Sequence, residues 1–369
     1  LPPGQIVIDT GTRSCRAGFS GHQSPCAEIS SLVGRSTAQS PHFKKARPGV
    51  FVGEEALLYP DMEVTEVMQN GLIASWEAAE NVWQHLIEHE LRVSPEEHML
   101  LLTEPPFSSA SSREKMAEVA FKALHISGLF VAPQPVLATY AHGRTSALVL
   151  DMGHAAMRAV PVLDGSNIAH GSQQTDMAGR CLTRYLATLL EDAGHTLITG
   201  MAQAVEDIKR TCCYVAIDFQ REQLRAGTNT VDCPLPDGRS LILNKERFQC
   251  PELLFSPPPS WGESYVGIPE LAQRSLEQLL ASIRPRMCSN ILLCGGSSLF
   301  RGLARRLCNE LLGRLPPGTA MEVVSSPLRR YAAWTGGSVL ALLRNFQSCW
   351  IRRDEYSEDR PCIVYQKCF

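Results

Sequence analysis

Residues 5–20 read Gln5-Ile-Val-Ile-Asp9-Thr-Gly11-Thr-Arg13-Ser-Cys-Arg16-Ala-Gly-Phe-Ser20, and residues 147–162 read Ala147-Leu-Val-Leu-Asp151-Met-Gly153-His154-Ala155-Ala-Met-Arg158-Ala-Val-Pro-Val162. Both stretches run as an apolar strand, Asp, any residue, Gly, four residues, Arg, Ala. An Asp-x-Gly turn alone is weak evidence, but a chance turn has no reason to recur in register. The strand residues suit burial in a sheet. The Asp at the strand end can order a hydrated divalent cation. Gly lets the backbone turn sharply and bring N–H groups close to a phosphate, and the Arg complements phosphate charge. The repeat therefore predicts two related halves whose turns hold the phosphates of one nucleotide.

The rest of the chain agrees with that outline. Its 369 residues are enough for two domains. An apolar fraction of 44% and a charged fraction of 20% are those of a soluble globular protein. A net charge of −3 gives no reason to expect general nucleic-acid or membrane binding. No apolar run reaches the ~18 residues of a membrane span, and no signal-peptide pattern is expected. The 13 cysteines, an odd number, read as reduced thiols of an intracellular chain. Cys212-Cys213 is a vicinal pair and no Cys-x-x-Cys occurs, which argues against zinc.

Strands are expected at 5–9, 15–20, 99–103 and 290–294. Helices are expected at 75–91, from a capping box at Ser111 and Glu114 to about Leu124, 134–143, 178–191, 202–213, 270–283, 299–312 and 328–344. Residues 34–50 read as an exposed cationic loop, and Pro236-Asp237-Gly238 as a hairpin turn. Strands alternating with helices in both halves make the class α/β with crossover connections. His85, Glu88 and His89 lie close on one helix but lack a further ligand, so a solvated face is the simpler reading. Trp261, after three prolines, is either a partner-binding plug or part of a stiff loop.

Several runs then identify a resemblance: Leu-Arg-Val-Ser-Pro-Glu-Glu-His (91–98), Ser-Arg-Glu-Lys-Met (112–116), Ala-Gly-Arg (178–180), Cys-Tyr-Val-Ala-Ile-Asp-Phe (213–219), Leu-Pro-Asp-Gly (235–238), Arg-Phe-Gln-Cys-Pro-Glu (247–252), Gly-Gly-Ser (336–338) and the terminal Lys-Cys-Phe (367–369). Over essentially its whole length the chain resembles actin and the actin-related and actin-like proteins, and most of all the testis-type actin-like group. The resemblance implies an actin-like ATPase fold: two ribonuclease-H-like halves and four subdomains around a nucleotide cleft. Residues 1–140 with 330–369 would form the first half, with 30–66 as its small subdomain. Residues 141–329 would form the second, with 178–263 as its small subdomain.

ATP or ADP with Mg2+ or Ca2+ is the implied cofactor. Asp9 and Asp151 match the acids that organise the cation through water, and Gln134 the residue that positions attacking water. Gly11, Thr12, Arg16 and Gly153 match the phosphate turns, Gly179 and Lys209 the adenosine side, and Gly295 and Gly296 the glycine pair beside the nucleotide. Tyr140, Gly143, Leu340, Leu343 and Cys349 match the apolar groove that takes amphipathic helices or a profilin-like protein. The departures bear on activity. The family has Gly at Arg13, Lys at Arg16, Asp-Gly at His154-Ala155, the His implicated in hydrolysis at Arg158, and an acid at Arg210. The new guanidiniums Arg13 and Arg158, pairing with Asp9 and Asp151, would take the metal's place, whereas added cations holding a polyphosphate without metal would be the rival, and both arginines pointing to solvent the plainer alternative. Ordinary actin filaments are not expected, because the loop at 34–50 is cationic and unrelated. The first reading is a structural or scaffolding subunit of a specialised cytoskeletal assembly in the cytoplasm, the sperm-head cytoskeleton, with other actin-like or cytoskeletal proteins as partners. A slow ATPase that polymerises and a nuclear chromatin-remodelling subunit are the alternatives.

Overall fold

The computed structural model describes residues 4–36, 49–59, 61–195, 202–225, 227–235, 238–359 and 363–368. The chain divides into two compact units, one of Leu1–Thr145, Val162–Asn167 and Tyr331–Phe369, the other of Ser146–Pro161 and Ile168–Arg330.

The first unit is organised by a six-stranded sheet in the order Ile351–Arg352, Gly128–Pro133, Met99–Glu104, Ile6–Thr10, Ser14–Phe19, Ala27–Ser30. Ile6–Thr10 runs parallel to Met99–Glu104, which runs parallel to Gly128–Pro133. The sheet is then extended by the antiparallel hairpin. Ile6, Val7, Ile8 and Leu100, Leu101, Leu102 are wholly buried, as expected of strands covered on both faces. The helix Ala332–Leu342 lies against this core, and its Trp334 donates Nε1–H to the Val7 carbonyl at 2.9 Å. A Cβ on Gly336 would stand 1.7 Å from the Leu137 carbonyl oxygen. The helices Ala332–Leu342 and Gln134–Tyr140 thus meet backbone to backbone, which only glycine permits.

The second unit repeats the plan. Ala147–Met152 runs parallel to Ile291–Cys294, and that strand parallel to Val323–Val324. On its other side Ala147–Met152 neighbours the strand Met157–Leu163, which pairs with Gln173–Thr175. The helices Gly179–Asp192, Ala202–Cys212, Glu246–Glu252, Ile268–Glu277 and Leu303–Arg314 complete it. Both units are α/β.

Some local expectations change. The helix at 110 starts one residue before Ser111, with Ser109 at its cap position and no side-chain cap bond, so the Ser111–Glu114 box is not formed. The hydroxyl of Ser109 instead meets those of Ser111 and Ser112 at 2.8 and 3.0 Å. The segment 270–283 is not one helix: Ile268–Glu277 ends, and Arg284–Cys288 begins after a turn. Arg284 fixes that break by donating to the carbonyls of Leu279 and Glu277, each at 2.9 Å. The segments 299–312 and 328–344 each open with 3₁₀ turns, their α-helices spanning Leu303–Arg314 and Ala332–Leu342. Trp261 is half-buried, its ring edge-on to Tyr185 and Tyr265 at 6.1 and 5.6 Å. Most of the 34–50 loop, together with Pro236, Asp237 and Phe369, falls outside the described residues.

Gly336→Ala is expected to lower stability by ~3 kcal/mol, because neither backbone can yield to the new methyl group. A fall in the urea midpoint checks this, and an unchanged midpoint contradicts it.

Candidate functional site

The two Asp-x-Gly hairpins close alike. In the first unit the Gly11 N–H donates to the Ser14 carbonyl at 3.1 Å; in the second, the Gly153 N–H donates to the Ala156 carbonyl at 3.1 Å. A Cβ on either glycine would lie 3.0 Å from that same carbonyl. The sequence repeat is therefore a repeat of backbone geometry, and at either glycine a side chain would crowd the carbonyl that closes the turn.

In the first unit Asp9 lies near the end of its strand, 4% exposed and directly opposite Arg16 in the hairpin register. Arg16 donates from Nη1 to Asp9 Oδ2 at 3.1 Å. The other carboxylate oxygen, Oδ1, accepts from Thr103 Oγ1 at 2.7 Å and Gln134 Nε2 at 3.0 Å. Arg16 also donates from Nε to Glu28 Oε1 at 3.2 Å and from Nη2 to Ser14 Oγ at 3.2 Å. Ser14 in turn donates to Glu28 at 2.6 Å. Tyr331 donates to Glu28 Oε2 at 3.3 Å, and its ring lies under the guanidinium at 5.5 Å from the centroid. Burial works against the charge on Arg16, but Asp9 and Glu28 outweigh it and hold its pKa above the ordinary arginine value. Gly11, Thr12 and Arg13 in the turn are half-buried, and the Arg13 carbonyl accepts from Ser31 N–H at 3.1 Å.

In the second unit Asp151 is half-buried and faces Arg158, Nη1 to Oδ2 being 3.9 Å. Arg158 is 5% exposed, and its Nε donates to Gln174 Oε1 at 2.8 Å from the partner position on the neighbouring strand. Burial draws its pKa below the usual arginine range against the pull of Asp151. Gly295 has φ +83°, and a Cβ there would lie 2.6 Å from Asp151 Oδ1 and 2.5 Å from the Met152 carbonyl. A Cβ on Gly296 would meet nothing within 4 Å. The start of the helix Gly179–Asp192 is bonded to the second turn, Gly179 N–H to Gly153 O at 3.1 Å and Arg180 N–H to His154 O at 2.8 Å. The Lys209 ammonium donates to Gly179 O at 3.0 Å, Thr183 Oγ1 at 2.9 Å and Glu206 Oε2 at 2.6 Å, and both charged groups are buried. Arg210 is exposed.

Asp9, Arg16 and Gln134 are thus joined by direct hydrogen bonds beside the first turn. Asp151, Gly153, Gly179, Lys209 and Gly295 are linked in the second unit. Glu28, Ser14, Thr103, Tyr331 and Glu206 complete these networks and were not expected from sequence. The hairpin alternation that sets Arg16 opposite Glu28 is a signal that could have found one of them.

The donor set fits a divalent cation poorly. Both Asp9 oxygens are engaged by protein donors, one of them a guanidinium, and Asp151 faces a second guanidinium. Hard cations require carboxylate charge left available to them or to their water. Among the described residues no group of three or more His, Cys, Asp and Glu is arranged to hold a metal ion. The glycine turns retain the shape that suits a phosphate.

The groove residues all belong to the first unit. Tyr140 is half-buried at the end of Gln134–Tyr140, and burial raises the pKa of its phenol. Gly143 follows with φ +65°. Leu340 is half-buried, Leu343 is 50% exposed, and Cys349 is half-buried against the core. Val339 and Leu342 add further exposed apolar surface on the same helix.

The sequence pattern of the actin family matches residues 2–201 and 196–369. The chain is 45% identical to actin-like protein 9 of Bos taurus over 375 residues, covering all of this chain and 89% of that protein. It is equally 45% identical to actin-like protein 9 of Homo sapiens over 372 residues, again all of this chain and 89% of the relative. Actin-like protein 7B of Macaca fascicularis is 34% identical over 371 residues, 98% of this chain and 88% of the relative. The chain belongs to the actin family, has the α/β actin-like ATPase fold and falls within its divergent actin-like group.

Arg16→Met is expected to cost ~3 kcal/mol by leaving Asp9 buried without its cation. Asp9→Asn in the same chain should restore ~1 kcal/mol or more of that loss. Urea unfolding of the four members of the double-mutant cycle reads the coupling, and simple additivity would contradict the network.

Proposed function

We propose that this chain is a structural or scaffolding actin-like subunit of a specialised cytoskeletal assembly, with ATP hydrolysis weakened or lost. The observation that carries the reading is the buried Arg158 facing Asp151. Resemblance puts the histidine implicated in hydrolysis at that position. A guanidinium holds its proton at neutral pH and cannot act as a general base there. In the other unit the guanidinium on Asp9 is Arg16 and not the newly added Arg13, so that pairing keeps the charge the family's lysine would bring and changes only its shape. The sperm-head cytoskeleton and a cytoplasmic location follow from the resemblance to the testis-type actin-like group. Other actin-like or cytoskeletal proteins are the expected partners. Tyr140, Gly143, Leu340, Leu343 and Cys349 are the surface proposed for an amphipathic helix or a profilin-like protein.

A second reading, a slow ATPase whose nucleotide state controls polymerisation, has one observation in its favour. Gln134 is still hydrogen-bonded to Asp9 at 3.0 Å beside an intact phosphate turn.

On addition of Mg2+ and ATP, the purified chain is expected to release phosphate no faster than buffer and to remain in the supernatant on centrifugation. Phosphate release that rises together with pelleted polymer would favour the ATPase reading over the scaffold.

A further inference from the structure

The vicinal pair Cys212-Cys213 takes no part in the site described above. Cys212 ends the helix Ala202–Cys212, and Cys233 lies in the strand Val231–Pro234. Their sulfur atoms are 3.6 Å apart, and both are thiols. A disulfide needs about 2.05 Å between sulfurs, ~1.5 Å less than their present separation. The backbone on both sides is already fixed by one residue. Arg247 donates to the Cys212 carbonyl and to the Asn229 carbonyl, each at 3.0 Å, and so clasps the helix end to the chain entering the strand.

We propose that Cys212 and Cys233 are a modification site, forming a reversible disulfide on reaction with a low-molecular-weight disulfide such as glutathione disulfide. The half-buried Cys212 is the more accessible of the two, Cys233 being 8% exposed. Being the more exposed, Cys212 meets the reagent and attacks first. Its thiolate attacks one sulfur of glutathione disulfide, the S–S bond breaks, and one glutathione leaves with the electron pair. The Cys233 thiolate then attacks the Cys212 sulfur of the mixed disulfide and expels the second glutathione. Two protein thiols are oxidised, one glutathione disulfide is reduced, and the two thiol protons end on the two released glutathiones. The thiols Cys213 and Cys250 are both buried, and the nearness of Cys250 together with burial holds the Cys213 pKa well above the ordinary range. They form an internal control of equal chemistry and lower access. Lys209, one turn before Cys212, belongs to the Gly179 network, so the bond would tether the helix that carries it.

The full chain, reduced and then equilibrated with glutathione disulfide, is alkylated and digested with trypsin without reductant. The expected product links peptide 211–221 to peptide 226–239, with fragmentation placing the bond on Cys212 and dithiothreitol reversing it. Cys212→Ser should abolish the link, and Cys233→Ser should trap glutathione on Cys212. The proposal is overturned by a bond through Cys213 to Cys250, by a stable glutathione adduct on Cys212 with Cys233 still alkylatable, or by no reaction at Cys212.

Discussion

A carboxylate at the end of a buried strand must be compensated where it stands, and in both halves of this chain the partner is a guanidinium from the returning strand of the same hairpin. Asp9 meets Arg16 at 3.1 Å, and Asp151 faces Arg158 at 3.9 Å. Unit charges about 4 Å apart interact by about 4 kcal/mol at the effective dielectric of a protein surface. Desolvation offsets much of that gain, so the additional hydrogen bonds decide whether the arrangement holds. Around Arg16 they come from Ser14 and Glu28, with Thr103 and Gln134 completing Asp9. Around Arg158 the bond comes from Gln174.

The consequence for chemistry follows from the same contacts. A carboxylate that organises a hydrated cation must keep its charge available to water, and Asp9 has both oxygens committed to protein donors. The polar geometry of the phosphate turns survives, because it depends on glycine and on backbone hydrogen bonds closed within each turn. The turns keep their backbone shape, while Asp9 and Asp151 each face an arginine. The exposed apolar residues Val339, Leu342 and Leu343 lie at one end of the helix that packs on the core of the first unit.

The hairpin repeat was fully legible in the sequence, since two strands, a glycine and an arginine at fixed spacing encode one local geometry. The strands at 99–104 and 291–294 and most of the longer helices were read from apolar runs and periodicity, whereas the parallel strands Gly128–Pro133 and Val323–Val324 were not. What escaped was long-range or competitive. Glu28 and Tyr331 are 303 positions apart and meet only after the sheet has formed. Thr103 reaches Asp9 from a neighbouring parallel strand. The break near residue 278 depends on one arginine capturing two carbonyls, which outweighs the helix propensity of the flanking residues. The expected Ser111 cap failed because the helix begins at Ala110, ahead of Ser111, and the Ser111 hydroxyl meets that of Ser109.

The most direct measurement is the nucleotide content of the natively purified protein, released and quantified with and without prior EDTA treatment. If arginines paired with Asp9 and Asp151 have taken the metal's place, neither sample will release stoichiometric nucleotide. Nucleotide retained equally in both would mean that added cations hold a polyphosphate without metal and would contradict that pairing. Stoichiometric ATP or ADP that is lost on chelation would mean that Asp9 and Asp151 still serve a metal, and would contradict the account.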